Sequence, residues 1–427
     1  MCGYFRRQHF GGVMVNILEH AHGPFSFSLA RSEEHGNRYT VVIGSNGSGK
    51  SRLLRSLADK TSRSAEGQNL AEVKWPSRTL AVSNLVSDVF KFSTEGEGAY
   101  LYLGLRQSTN LLTTGSLRDA TVQAVFGCTA DKWQADALTR ATALIGFSSY
   151  SIISEGVSGE PSSREGFLMD LNRSRRDFEL PRDIQEQVYE FLSSERVQRD
   201  AADYSNIYEV SAVRSFTHFA TSVGLEVADL LRMAKRYKFA SYKLSFNRGD
   251  QSMDSSELST GQLLLFSMVA RIVSSIARNS LVLIDEPETG LHPEWQAAFL
   301  PLLKDCLPGE LESHIILATH SPHIVSDASD VLLPGDTWGQ FVSFNEPHFG
   351  QPIESLLYRV FHARVAGNLL VEEDLTIILE FLAGLKSREQ MREVADAVER
   401  LENVAGLDTP TVMEAILAAK HMIETGL

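Results

Sequence analysis

At 427 residues, 43% hydrophobic and 22% charged, the chain has the composition of an ordinary globular protein, long enough for one large core or two modest ones. A net charge of −14 argues against a surface coated in positive charge for nucleic acid. Cys2, Cys128 and Cys306 are too few and too widely spaced for a disulfide framework or a CxxC metal pair, and no apolar stretch suits a signal peptide or a membrane span. The expectation is a protein of a reducing cytoplasm with no membrane partner.

Strands are expected near Val13–Leu18, Phe25–Leu29 and Thr40–Ile43. The third leads into Gly44-Ser45-Asn46-Gly47-Ser48-Gly49-Lys50-Ser51, followed by the helix-like Arg52–Leu57. This is the strand, glycine loop and helix context of a phosphate-binding loop. Small residues let successive backbone N–H groups curl around a phosphate, and the helix N-terminus adds its positive dipole end. Lys50 is placed to reach the β- and γ-phosphates of ATP, and the Ser51 hydroxyl to ligate Mg²⁺. A glycine-rich turn would share the composition without the flanking elements.

Strand-like runs follow at Leu80–Val82 and Tyr100–Leu103, closing a first lobe over residues 1–105. Residues 106–240 read as a mostly helical insertion with pieces such as Asp131–Leu144, Arg182–Phe191 and Leu225–Lys235. Ser148–Ser163, rich in Ser and Gly, reads as a loop. No heptad repeat is sustained, so a long coiled-coil arm is not expected. Between Arg232 and Arg248 lie six basic residues, Arg232, Lys235, Arg236, Lys238, Lys243 and Arg248, and no acidic ones. Such a face either contacts phosphate or nucleic acid or is simply a solvated face.

Residues 241–345 hold four further runs in order. Leu258-Ser259-Thr260-Gly261-Gln262 is a polar cap before an apolar helix, and a helix mouth bearing Ser259 and the Gly261 N–H is a second anion site. Leu281-Val282-Leu283-Ile284-Asp285-Glu286-Pro287-Glu288 is a continuous aliphatic run, as befits a buried parallel strand, ending in carboxylates. Ligands of open α/β sheets sit at that carboxyl edge, so Asp285 suits Mg²⁺ and Glu286 suits orienting or deprotonating a water. Thr289-Gly290-Leu291-His292-Pro293 follows. Ile315–Thr319 is a second buried strand, ending at His320, whose neutral imidazole suits a γ-phosphate. One chain has no use for two γ-phosphate sites of this kind, so the cap at Ser259 is expected to serve the ATP of a neighbouring copy.

The whole set resembles the ABC-type ATPases, in particular their OLD, RecF and SMC-like branch. Gly44 to Ser51 match the Walker A motif, Leu258 to Gln262 the signature, Asp285 and Glu286 the Walker B pair, and His320 the switch histidine. Thr289 to Leu291 lie at the D-loop position, in an OLD-like ETGLHP setting, and Gly23-Pro24-Phe25 looks RecF- or SMC-like. The resemblance implies an α/β ATPase head with ATP and Mg²⁺. It assigns Lys50, Glu286 and His320 to catalysis, and Ser51 and Asp285 to the metal. Gly44, Ser45, Asn46, Gly47, Ser48, Gly49, Lys50 and Ser51, with Ser259, Gly261 and Gln262 across the interface, are assigned to the nucleotide. Thr260 stands where glycine is usual, and no Q-loop glutamine is assignable; Ser83, Asn84 and Asp88 occupy its place.

The C-terminal segment, 346–427, reads as helical, with stripes at Leu375, Ile378, Leu379, Leu382 and Leu385, then Met391–Leu401, then Val412–Ile423. From Gly367 onward it holds twelve acidic and five basic residues. Leu370-Val371-Glu372-Glu373-Asp374 superficially matches the first acidic strand of a Toprim nuclease, but no DxD follows, so a built-in metal nuclease is not expected. The layout is similar to free-standing anti-phage ATPases of the PtuA-like, Septu and retron type, implying self-association through the ATP sites and control of a separate effector, such as a nuclease. The alternative is a RecF- or SMC-like ATPase of DNA repair.

Overall fold

The structure, a computed structural model, describes residues 17–29, 36–64, 76–85, 87–92, 99–105, 114–128, 131–155, 160–173, 180–201, 207–208, 210–345, 369–385, 390–404 and 410–425. Its centre is a seven-stranded sheet. The strands are β3 (Arg38–Ile43), β4 (Arg78–Ser83), β5 (Tyr100–Tyr102), β10 (Ser280–Asp285), β11 (His314–Thr319), β12 (Asp330–Pro334) and β13 (Phe341–Ser343). They lie in the order β13-β12-β3-β11-β10-β4-β5, parallel throughout except for β13. The expected α/β head is therefore present: β11, which leads into His320, lies directly beside β3, the strand that feeds the phosphate loop, and β10, which ends in Asp285, lies on the far side of β11.

Alternation along each strand divides the sheet between two cores. Val41, Ile43, Val282, Ile284, Ile315 and Leu317 face the larger core. Val42, Leu281, Leu283, Ile316 and Ala318 face a smaller one, filled by Leu53, Leu54 and Leu57 of α1 (Lys50–Ser64) and by Phe25 and Phe27. A sheet buried on both faces needs aliphatics at every position, which is why these strands read as unbroken apolar runs. Phe25 and Phe27 come from the hairpin of β1 (Glu19–His22) and β2 (Phe25–Ser28). The strand expected at Val13–Leu18 lies mostly outside the described residues.

The larger core is shared with the insertion. α2 (Thr114–Gly127) and α3 (Lys132–Leu144) pack against α8 (Thr260–Ser275) and α9 (Pro293–Cys306), and their apolar residues belong to one continuous cluster with the sheet. The remaining insertion helices are α4 (Arg164–Arg173), α5 (Arg182–Ala201), α6 (Val210–Ser222) and α7 (Val227–Arg236). Two expectations are corrected here. Ser149–Glu155, read as part of a loop, forms strand β6, and 241–254, read as resuming the ATPase sheet, forms β8 (Ser241–Arg248) and β9 (Gln251–Asp254) of a separate antiparallel sheet. With β7 (Ile207–Tyr208) the order is β7-β6-β8-β9. The Ser and Gly content of 148–163 hid the strand, because β6 is stabilised by pairing seven residues with β8, about ninety residues away.

Beyond the central sheet, α11 (Leu369–Leu382), α12 (Met391–Val404) and α13 (Pro410–Thr425) form a helical unit with its own small core of Ile378, Phe381, Val394, Val398, Leu401 and Ile416. The segment Leu370–Asp374 is helical, not a strand, and Asp374 is paired with Arg400 at 2.7 Å.

The packing of α8 on the insertion sheet centres on Phe266, fully buried, with Phe246 edge-on at 5.0 Å and Tyr150 at 5.8 Å between ring centroids. Phe266→Ala is expected to destabilise the protein by about 3–5 kcal/mol in denaturant unfolding; a loss below about 1 kcal/mol would show that this contact does not hold α8 in place.

Candidate nucleotide site

The loop Gly44–Gly49 leaves β3 at the carboxyl edge of the sheet and enters α1 at Lys50. Gly44 has φ +153°, and a Cβ there would lie 2.7 Å from both the Pro334 ring and Ser48 Oγ, so a side chain is excluded where the loop begins. Ser45, Asn46 and Gly47 are exposed at the tip, while Ser48 Oγ is buried without a hydrogen-bond partner. Lys50 is buried, and its ammonium donates to the carbonyls of Gly44 (2.9 Å) and Ser45 (3.3 Å) and to His320 Nε2 (2.8 Å). His320 Nε2 must therefore be the acceptor nitrogen, so the imidazole is neutral. Burial and the nearby Lys50 charge hold its pKa below the usual histidine value. Burial likewise lowers Lys50, opposed by the carboxylates of Glu286, Asp285 and Glu288.

On the neighbouring strand end, Ser51 Oγ donates to Asp285 Oδ1 at 2.9 Å. Asp285 is 1% exposed, and its Oδ2 is buried with no hydrogen-bond partner. A buried carboxylate oxygen with a free lone pair beside a hydroxyl is a donor set for a hard divalent cation, so these residues fit Mg²⁺. Burial raises the Asp285 pKa to about 7, with Glu286 and Asp88 adding to the rise and the Ser51 hydrogen bond opposing it. Glu286 takes the left-handed backbone region, φ +46°, uncommon for a residue with a side chain, while its N–H remains bonded to the Ala318 carbonyl. Its carboxylate lies 3.5 Å from His320 Nε2. Lys50, Ser51, Asp285, Glu286 and His320, separated by up to 270 residues, thus meet at one place.

The signature cap is built differently. Ser259 caps α8 by accepting from the Gln262 N–H, and Gln262 Oε1 accepts from the Ser259 N–H, a reciprocal capping box. Gln262 Nε2 also donates to the Ile145 carbonyl at the end of α3, so its side chain is committed to bracing. Gly261 is buried against the D-loop: a Cβ would lie 2.7 Å from the Gly290 carbonyl. Ser259 and Thr260 are exposed, and among the described residues no hydrogen bond joins Ser259 or Gly261 to the chain's own phosphate loop.

Two residues, Glu288 and Arg271, are given no role by the sequence reading. Glu288 Oε1 accepts from the His320 N–H at 2.5 Å, tying the segment before the D-loop to the switch histidine, while Glu288 Oε2 is buried and unpartnered. Arg271 of α8 is wholly buried and donates to the Leu103 carbonyl and to Asn84 Oδ1 (2.9 Å). It links the signature helix to the position where a Q-loop was sought. Asp88 in the same stretch accepts from the Tyr102 hydroxyl at 2.5 Å. The third carboxylate of the run ending in Glu288 was a visible signal; the contact of Arg271 across 187 residues was not.

The basic stretch is largely neutralised. Arg232 pairs with Asp229, Lys235 with Asp119 (2.7 Å), Arg236 with Asp170 (3.3 Å) and Lys243 with Asp254 (2.8 Å). Arg248 donates to the Gly146 carbonyl and lies over the Phe147 ring. These contacts favour the solvated-face reading over a phosphate-binding one.

The sheet order and the gathering of Walker A, Walker B and switch residues at its carboxyl edge decide the class. The chain has the mixed α/β fold of a P-loop ATPase head. A family model described as "AAA domain, putative AbiEii toxin, Type IV TA system" matches residues 156–326. Protein ea59 of Escherichia phage lambda is 39% identical over 70 residues, 16% of this chain and 13% of that protein. Septu protein PtuA of Bacillus thuringiensis is 49% identical over 49 residues, 12% of each chain. The chain thus spans about an eighth of the length of the curated relatives it matches. Among solved structures, the Smc head domain from Pyrococcus furiosus aligns at 12% identity and a TM-score of 0.30, covering 75% of this chain and 93% of that one. Among the described residues of this head, no helix is long and apolar enough to cross a membrane.

The raised Asp285 pKa has a stability consequence. The folded state holds that proton more tightly than the unfolded chain, so its contribution is full below about pH 4, is lost as pH rises towards about 7, and stays lost above it. Asp285→Asn is expected to melt at a higher temperature than the wild type at pH 8 without nucleotide or metal, by up to about 4 kcal/mol of stability, and to converge with it near pH 4. Coincident melting curves at both pH values would show that Asp285 is not held under electrostatic strain.

Proposed function

We propose that this chain hydrolyses ATP with Mg²⁺ at composite sites formed by two copies packed head to tail, and that the cycle controls a separate effector, of nuclease type, in bacterial anti-phage defence. The observation that carries the reading is the convergence of Lys50, Ser51, Asp285, Glu286 and His320 on one spot, while the Ser259 cap is exposed and unbonded to it. Lys50 would exchange its carbonyl and imidazole acceptors for phosphate oxygens. Ser51 and Asp285 would hold Mg²⁺, which supplies charge neutralisation at the terminal phosphates. Glu286, at the edge of the site and only partly exposed, would orient and deprotonate the attacking water. His320 stands between Lys50 and Glu286 and would respond first to a change of charge there. The Ser259 hydroxyl and the N-terminus of α8 would close on the γ-phosphate of the partner copy.

The similarity to Septu protein PtuA over 49 residues supports the defence role. The internal pairing of the basic stretch gives the DNA-repair alternative less support. The handle for an effector would be the unit of α11, α12 and α13, whose acidic surface would steer a basic partner and whose core is separate from that of the head.

Light scattering of Glu286→Gln tests the composite site. ATP with Mg²⁺ is expected to double its mass, turnover is expected to fall at least a hundredfold, and adding Ser259→Arg is expected to return it to the unassociated mass. Wild-type turnover in Glu286→Gln would remove Glu286 as the base, and ATP-driven association indifferent to Ser259→Arg would remove the composite site.

Removal of everything after Asn368 tests the handle. The shortened protein is expected to stay soluble and to hydrolyse ATP while no longer co-purifying with its effector. Aggregation or lost ATPase activity would make these helices a structural seal.

A further inference from the structure

Beside the phosphate loop stands a tryptophan that the proposed chemistry does not use. Trp338 is 50% exposed, in the turn between β12 and β13. This turn is rigid. Gly335 N–H donates to the Gln340 carbonyl, Gln340 N–H to the Thr337 carbonyl, and Ser26 N–H of the β1–β2 hairpin to the Gly339 carbonyl. A Cβ on Gly339 would lie 2.5 Å from the Pro24 carbonyl, so the turn is seated directly on Gly23-Pro24-Phe25. The indole is aimed at the loop: Nε1 faces the Gly47 carbonyl at 3.4 Å, the ring packs on Phe25 at 5.2 Å, and the Arg52 guanidinium lies 5.8 Å from its centroid.

The sheet order gives the site a direction. Lys50 meets His320 at the end of β11, and Ser51 meets Asp285 at the end of β10, so the terminal-phosphate end lies on that side of β3. β12 flanks β3 on the other side and ends at Pro334, against Gly44. A nucleotide with its terminal phosphate at Lys50 therefore runs past the first turn of α1, where Arg52 sits, towards the turn that carries Trp338.

Resting on the reading of this place as an ATP site, we infer that Trp338 is the surface on which the purine base stacks. Arg52 is in position to add a cation–π contact to the indole or the base. The Gly23-Pro24-Phe25 turn acts as the seat that fixes the tryptophan.

Calorimetry on the full chain tests this with two ligands, Mg-ATP and Mg-tripolyphosphate, which shares the phosphates and lacks the base. Trp338→Ala is expected to weaken ATP binding by at least about tenfold, in line with one base stacked on an aromatic ring, and to leave tripolyphosphate binding unchanged. Trp338→Tyr is expected to restore most of the ATP affinity. ATP is also expected to quench tryptophan emission in the wild type and to lose most of that quench in Trp338→Phe. Unchanged ATP affinity in Trp338→Ala, or equal weakening of both ligands, overturns the inference and makes Trp338 a prop for the loop. Binding of neither ligand by the wild type sinks the nucleotide-site reading itself, and this inference with it.

Discussion

The arrangement depends on one buried charge site, Asp285 at the end of β10. Its strand is enclosed on both faces, its carboxylate is almost fully buried, and one oxygen has no partner. Burying a carboxylate this way costs free energy unless a cation or a hydrogen-bond donor offsets it. Among the described residues the Ser51 hydroxyl donates to it, and Lys50 is a nearby cation. The other groups of the site lie around this incompletely satisfied carboxylate. Such a site costs stability in the chain as it stands.

The same economy explains the backbone around it. Glu286 accepts a left-handed conformation immediately after Asp285, which turns the chain off the sheet edge and brings its carboxylate to His320. Local strain of this kind persists where the surroundings over-determine it. Here they include the hydrogen bond from Glu286 N–H to the Ala318 carbonyl and the anchoring of the His320 N–H by Glu288. Asp285, Glu286, Glu288 and His320 are therefore one connected piece. Gly261, packed on the Gly290 carbonyl, joins the signature helix to that piece, and Arg271 extends the connection to Asn84.

The insertion is part of this connected body. Its helices share one apolar cluster with the sheet and with α8, and Gln262 ties the signature cap to the end of α3. α11, α12 and α13 instead keep a core of their own.

By itself the sequence determined the phosphate loop, the two buried strands with Asp285 and His320 at their ends, and the helix cap at Ser259. Each is encoded locally, as a glycine spacing, an aliphatic run or a capping pattern, and needs no distant partner to be recognised. Only the tertiary structure decided what depends on residues far apart in the chain. Strand β6 exists because β8 pairs with it, so its Ser-rich sequence read as a loop. The basic stretch is spent partly on Asp229 and Asp254, just beyond its two ends, and partly on Asp119 and Asp170, far upstream, which no window around the stretch contains. The place of Trp338 beside Gly47 follows from β12 lying next to β3, a neighbour relation between strands about 290 residues apart that no local pattern expresses.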